Sequence, residues 1–164
     1  MAYVVGKFKY HSCYSGDEGL VLPFQEGAAQ TFKAGDIVKL SAGKIIVAVE
    51  ASADLLLGYA LADASGITDT IISVQVIRTN DVFIVPYESD DTFVIADVGI
   101  ATGFGAKRTN NKWMINNDNV VAAQIVFHPL ASIEYDARQL LGATAGGAAY
   151  VRFNRSNLQF DVDV

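Results

Sequence analysis

"FKAGDIVKLSAGKIIVAVE", residues 32–50, is the stretch whose reading decides the fold. Asp36–Leu40 sets Ile37 and Val38 among polar neighbours and runs into Ser41-Ala42-Gly43-Lys44, a hairpin signal between two strand-like segments. Lys44–Glu50 is β-branched and too short to be a capped helix. The stretch predicts two strands joined by a glycine turn. It carries no nucleophile, metal-ligand cluster or phosphate loop, so its regularity reads as architecture.

The same texture continues outward. "LLLGYALA" (55–62) places Gly58 where a bulge or a close backbone approach belongs. In "TIISVQVIR" (70–78), Ile72, Val74 and Val76 alternate with Ser73 and Gln75, one face in and one out. "DVFIVPY" (81–87) should end at Pro86 or lie at a sheet edge. Further strands are expected in 92–101, 113–116, 122–130, 148–154 and 158–164. "KRTNNKW" (107–113) reads as a polar hairpin tip, with Asn110 and Asn111 suited to positive φ. Only "ASIEYDARQLLG" (131–142) has helical spacing, through Ile133, Ala137, Leu140 and Leu141.

Many short strands at near-even spacing predict a mainly β protein. The expected form is a compact β-barrel or β-sandwich with an extended N-terminal arm and at most one short helix. Residues 1–30 form the arm and 31–164 a single β-rich domain. The arm mixes Tyr3, Phe8, Tyr10, Tyr14 and Phe24 with glycines. It reads either as an irregular terminus or as a segment that docks on a neighbour through its aromatics.

Composition narrows the function. Hydrophobic residues are 51% of the 164, and the mean hydropathy is +0.28. Such a surplus belongs in a core, a membrane or a partner surface. The best candidate span, 45–67, is broken by Glu50, Asp54 and Asp63, so no membrane crossing is expected. The opening residues lack the apolar core of a secretory signal. A net charge of -6 argues against nucleic-acid binding, which needs a basic field. The surplus points instead to oligomer or partner contacts.

Chemistry finds little support. His11, Cys13 and His128 fall short of the three or four ligands of a zinc site. Cys13 is the one cysteine, with no catalytic signature around it. The glycine-rich run 142–153 lacks the Lys-Ser/Thr and following helix of a phosphate loop. The acidic segments match no calcium loop. Asn154–Ser156 fits a glycosylation acceptor, read as chance without a secretion signal. No catalytic, cofactor or metal site is expected, and no enzymatic activity. Lys107, Arg108 and Lys112 form the local basic cluster, either a solvated loop or a contact for an acidic partner patch.

Residues 27–66, "GAAQTFKAGDIVKLSAGKIIVAVEASADLLLGYALADASG", resemble capsid decoration (cement) proteins of tailed bacteriophages. The resemblance is carried by Phe32 ahead of Gly35-Asp36, by Gly43-Lys44, by Leu57-Gly58-Tyr59-Ala60 and by Val74-Gln75-Val76. It continues in 97–105, 113–116, 123–130 and 146–154, and so covers most of the chain from about residue 20. It implies a structural virion protein on the capsid exterior, made in the host cytoplasm. Such a protein stabilises the expanded head by bridging major capsid protein subunits, often as a homotrimer. A head-fibre base or tail component is the alternative, and a small β-sandwich hydrolase is the reading from another class. The expected partner contacts are Tyr3, Phe8, Tyr10 and Tyr14 of the arm, with Lys107, Arg108, Lys112 and Trp113 of the hairpin. Strand edges and the arm suit β-augmentation, in which backbone hydrogen bonds to a partner supply affinity.

Overall fold

The computed structural model describes residues 9–13, 19–49, 55–86, 104–116, 126–129, 148–155 and 158–159. The side chains of 9–13, 104, 126–129 and 148–150 are outside that description. The described residues contain eleven strands: β1 Lys9–Cys13, β2 Val21–Gln25, β3 Ile37–Ser41, β4 Lys44–Val47, β5 Gly58–Ala60, β6 Ile71–Val76, β7 Asp81–Pro86, β8 Phe104–Thr109, β9 Lys112–Asn116, β10 Val126–Pro129 and β11 Ala148–Phe153. They build a six-stranded sheet, β1-β7-β11-β10-β8-β9, and a five-stranded sheet, β2-β6-β5-β3-β4, in which all neighbouring strands are antiparallel. The mainly β expectation holds, in a sandwich-like form rather than a closed barrel. Among the described residues there is no α-helix; the helix expected at 131–142 and the strand expected at 92–101 lie outside them.

The two predicted hairpins form through the same device. β3 and β4 are joined by Ala42 and Gly43, with φ of 48° and 80°, and the flanking Ser41 and Lys44 pair. β8 and β9 are joined by Asn110 and Asn111, with φ of 51° and 60°, and Thr109 pairs with Lys112. Two successive positive φ values give a two-residue turn whose twist matches that of the strands. Glycine and asparagine tolerate that region; Ala42 adopts it at some steric cost.

The five-stranded sheet buries one face and part of the other, which explains its dense apolar sequence. On one face, Val38, Ile45, Ala60, Ile72 and Val74 enclose a core completed by Phe32 and Leu57, with Phe24, Leu40, Val47 and Ala64 packed against it. On the other, Ile37, Ala48 and Tyr59 meet Phe83, Val85, Trp113, Ile115, Val151 and Phe153 of the six-stranded sheet. There the Tyr59 and Phe83 rings meet edge to face, their centroids 6.2 Å apart, and Phe83 meets Phe153 likewise at 5.4 Å. β7 is buried along its whole length between β1 and β11.

The described parts of residues 1–30 are integral to both sheets. β1 pairs with β7 and β2 with β6, so a boundary at residue 30 separates nothing structural there. Beyond β2 the chain bends across to β4. Glu26 forms a parallel bridge with Ile45, and the Gly27 N–H donates to the Ile45 carbonyl at 2.9 Å. The sheet thus curls until its two edge strands touch at one point, without closing.

Gly58 begins β5 where the chain has no room for a side chain. A Cβ there would collide with the Gln75 carbonyl oxygen and lie 2.7 Å from Val74 Cγ1. Backbone atoms of a paired strand cannot step aside as a flexible side chain can. Gly58→Ala is expected to lower the unfolding free energy by about 1–3 kcal/mol, the range for overpacking a tight core, measured as a shift of the urea midpoint.

Candidate interaction surfaces

The β8–β9 hairpin divides the expected contact residues between its two faces. Arg108 lies opposite Trp113 and Ala106 opposite Ile115, and these four point inward; Lys107 lies opposite Met114 and Thr109 opposite Lys112, on the outer face. Trp113 is 1% exposed and belongs to the inter-sheet core, which corrects its reading as a partner contact: its large apolar ring is spent on the protein's own packing. Lys112 is exposed and Lys107 half-buried. Tyr10 sits in β1, and Tyr3, Phe8 and Tyr14 lie outside the described residues.

Arg108 is likewise consumed within the chain. Its Nε donates to Asp36 Oδ1 at 3.0 Å and its Nη2 to Asp36 Oδ2 at 2.6 Å, while Nη2 also reaches Asn111 Oδ1 at 2.8 Å. The Lys33 N–H donates to the same Asp36 Oδ2 at 2.8 Å. The Asp36 carboxylate is fully buried, so this two-pronged pair ties the hairpin of one sheet to the entry of β3 in the other. The local basic cluster of the sequence is therefore not one surface.

The other buried acids serve loops. Asp81 accepts from the Arg78 N–H and Nε at 3.1 Å each and from Nη2 at 2.9 Å, closing the β6–β7 turn. Glu26 accepts from the Ser65 N–H at 2.9 Å, the Ser65 hydroxyl at 2.8 Å and the Gly66 N–H at 2.7 Å, pinning the 61–70 loop. These carboxylates act as hydrogen-bond hubs, each saturated by its own surroundings. β1 and β10, which carry His11 and His128, are three strands apart, or about 14 Å across the sheet at the usual spacing. Among the described residues no group of three or more His, Cys, Asp and Glu side chains is placed to hold a metal ion.

Strand edges are blunted in three places. The Val76 N–H donates to the Leu20 carbonyl and the Glu26 N–H to the Thr70 carbonyl, so the even-numbered residues of β2 bond β6. Val21, Pro23 and Gln25 turn their backbone outward, and Pro23 has no N–H to offer there. The β4 edge is occupied where Ile45 accepts from Gly27 and the Val47 N–H donates to Gln30 Oε1 at 3.2 Å. The β1 register shifts between Tyr10 and Ser12. At these points the β2, β4 and β1 edges offer a poor template for strand addition.

What is left bare is a face. The side of the five-stranded sheet that carries Ile37 and Tyr59 under the six-stranded sheet continues beyond that cover through β6 and β2. Tyr59 pairs with Gln75 and Gln75 with Val21; then come Ser73 opposite Pro23 and Ile71 opposite Gln25. Leu61 follows Tyr59 on this side, its N–H bonded to the Ser73 carbonyl. Val21, Pro23, Leu61 and Ile71 are exposed, Ile71 to 60%, and Ile67 on the adjoining loop to 68%. We call this overhang the shelf. Single-sequence reading missed it, because Ile71 and Val21 look like ordinary strand apolars until the extent of the second sheet is known.

No family model matches this chain, and no curated protein or solved structure matches it either.

Arg108→Ala should unfold at markedly lower denaturant, because it strands the buried Asp36 carboxylate. A loss of about 3 kcal/mol is expected, at the low end for a broken buried pair since Arg108 keeps 24% exposure. Lys33→Ala, which breaks the exposed 3.0 Å pair with Asp63, should cost less than about 1 kcal/mol in the same assay. Glu26→Ala removes the acceptor of two backbone N–H groups and should speed amide exchange at Ser65 and Gly66 well above that of the β6 amides, read by hydrogen exchange.

Proposed function

We propose that the chain is a structural virion protein that binds the outer surface of a phage head and stabilises the expanded shell by bridging major capsid protein subunits. The sequence resemblance over residues 27–66 suggests the setting. The observation that carries the adhesive reading is the shelf: an uncharged face of mixed apolar residues (Val21, Pro23, Leu61, Ile71) and neutral polar residues (Gln25, Ser73), left open on a framework of two packed sheets. Protein interfaces are depleted in charge at their centres in the same way.

The physical mechanism is linkage. A binder that recognises only the expanded lattice stabilises it by its own binding free energy, and repeated copies multiply a modest term per site. Rigidity matters, because a pre-ordered surface loses little entropy on docking. The 61–70 loop has that character: Glu26 holds its Ser65-Gly66 turn, Lys33 and Ala34 bond Asp63, and Lys44 pairs with Asp69 at 2.7 Å. The net charge of -6, carried to the outside of a particle, would favour its solubility.

Purified protein added to expanded heads that lack decoration should co-sediment with them and raise their calorimetric melting temperature. Absence of binding to expanded heads would overturn the proposal.

A further inference from the structure

We propose that the seam between β3 and residues 55–57 is a binding slot for an extended peptide, which the chain keeps shut with its own Leu158-Gln159. The slot lies across β5 from the shelf, and its test needs no phage head.

The seam exists because two paired strands part. β3 meets β5 through Ile37 and Val38, and the Leu57 N–H still reaches the Val38 carbonyl at 3.0 Å. Successive residues of a strand turn their backbone groups to opposite sides. Ile37 accepts from Ala48 on the β4 side, so Val38 and Leu40 face the other way. Past Val38 the β3–β5 ladder stops, and Gln159 fills the gap from both sides. Its N–H donates to the Leu56 carbonyl at 2.7 Å, and its Oε1 accepts from the Leu40 N–H at 3.3 Å. Leu158, 4% exposed, forms a parallel bridge with Leu56 and sits with it in the inter-sheet core, beside Ile37 and Phe153 in the same cluster. The slot thus offers a backbone acceptor, a backbone donor and an apolar seat. Those three groups select an extended peptide in which an apolar residue precedes one with a side-chain acceptor.

The occupant is held in a way that permits exchange. Its bridge to Leu56 is isolated, whereas β2 and β6 share five paired positions. Among the described residues, one apolar side chain and two hydrogen bonds tie it down, the longer of them at 3.3 Å. Gln159 and Leu40 are both half-buried, so the slot reaches solvent. A segment tied this lightly opens locally, at a free energy below that of global unfolding. While seated, it competes with any free peptide at the high effective concentration of a tethered ligand, and so acts as a built-in inhibitor.

The probe is a synthetic peptide with the sequence of residues 155–162, RSNLQFDV, titrated into the full chain by calorimetry. The double variant Leu158→Ser, Gln159→Ala should bind it at least about tenfold more tightly than wild type, because its own occupant no longer competes. A control peptide with the same two replacements should bind neither chain. Equal affinity of the two chains for the probe overturns the inference. So does a control peptide that binds as the probe does, or a folded double variant that binds no probe up to about 1 mM. Should the double variant fail to fold by circular dichroism, amide exchange of wild type decides. The Leu40 and Gln159 amides should then share a protection at least about tenfold below that of Ala48 and Ala60, whose N–H groups bond Ile37 and Asp36. Protection equal to that of Ala48 and Ala60 would mean that the slot opens only with the whole fold, and would overturn the inference.

Discussion

A carboxylate with no access to water must find its hydrogen bonds inside the protein, and Asp36 finds them on both sides of the molecule. The Lys33 N–H fixes the turn that starts β3, while Arg108 reaches over from the β8–β9 hairpin. Once that pair forms, the side of the hairpin that carries Arg108 must face the five-stranded sheet. Trp113, directly opposite Arg108, is thereby committed to the core, and Ile115 follows by alternation. Hydrophobic burial supplies most of the energy of such a fold, but it is non-directional. The guanidinium–carboxylate fork is directional and sets the registry.

What was legible in the sequence is what short-range physics decides. Ala42-Gly43 and Asn110-Asn111 announce their turns because positive φ favours few residue types, and the flanking strands follow. Alternation in β6 placed Ile72, Val74 and Val76 inside because the period of a strand is two. Gly58 was readable as a close approach, though not as an approach to β6. The long-range pairings were not legible. Arg108 and Asp36 are 72 positions apart, and nothing local distinguishes Arg108 from Lys107 beside it. Lysine and arginine there read as one basic cluster, and the fold separates them by pointing alternate residues to opposite faces. Trp113 read as a possible contact for a related reason: it follows a polar turn by one residue, yet its face of the strand is the buried one.

Edges and faces carry opposite implications for adhesion. A protein that recruits partners by strand addition keeps a straight, donor-rich edge open. Here Pro23, the Gly27–Ile45 bond and the register shift in β1 all work against that. Blunted edges prevent uncontrolled pairing between identical chains, which matters most for a protein concentrated on a surface.

Two isoleucines on this side of the protein gain little burial energy where they stand, Ile67 being 68% and Ile71 60% exposed. Serine or threonine at positions 67 and 71 would suit solvent and retain the local hydrogen bonds, since the Ile67 contacts to Ser65 and Thr70 run through its backbone and the Gln25–Ile71 pairing is a backbone pairing. Isoleucine contributes nothing to the described core at either position, with Ile67 and Ile71 both mostly exposed. The loop that presents Ile67 is held by a buried glutamate and includes Asp69 at φ 69°, a conformation uncommon outside glycine and asparagine. Fixing a loop in this way limits the entropy lost when its apolar side chain is buried by another surface. The hydrogen bonds of the loop thus hold an apolar side chain in a fixed, exposed position.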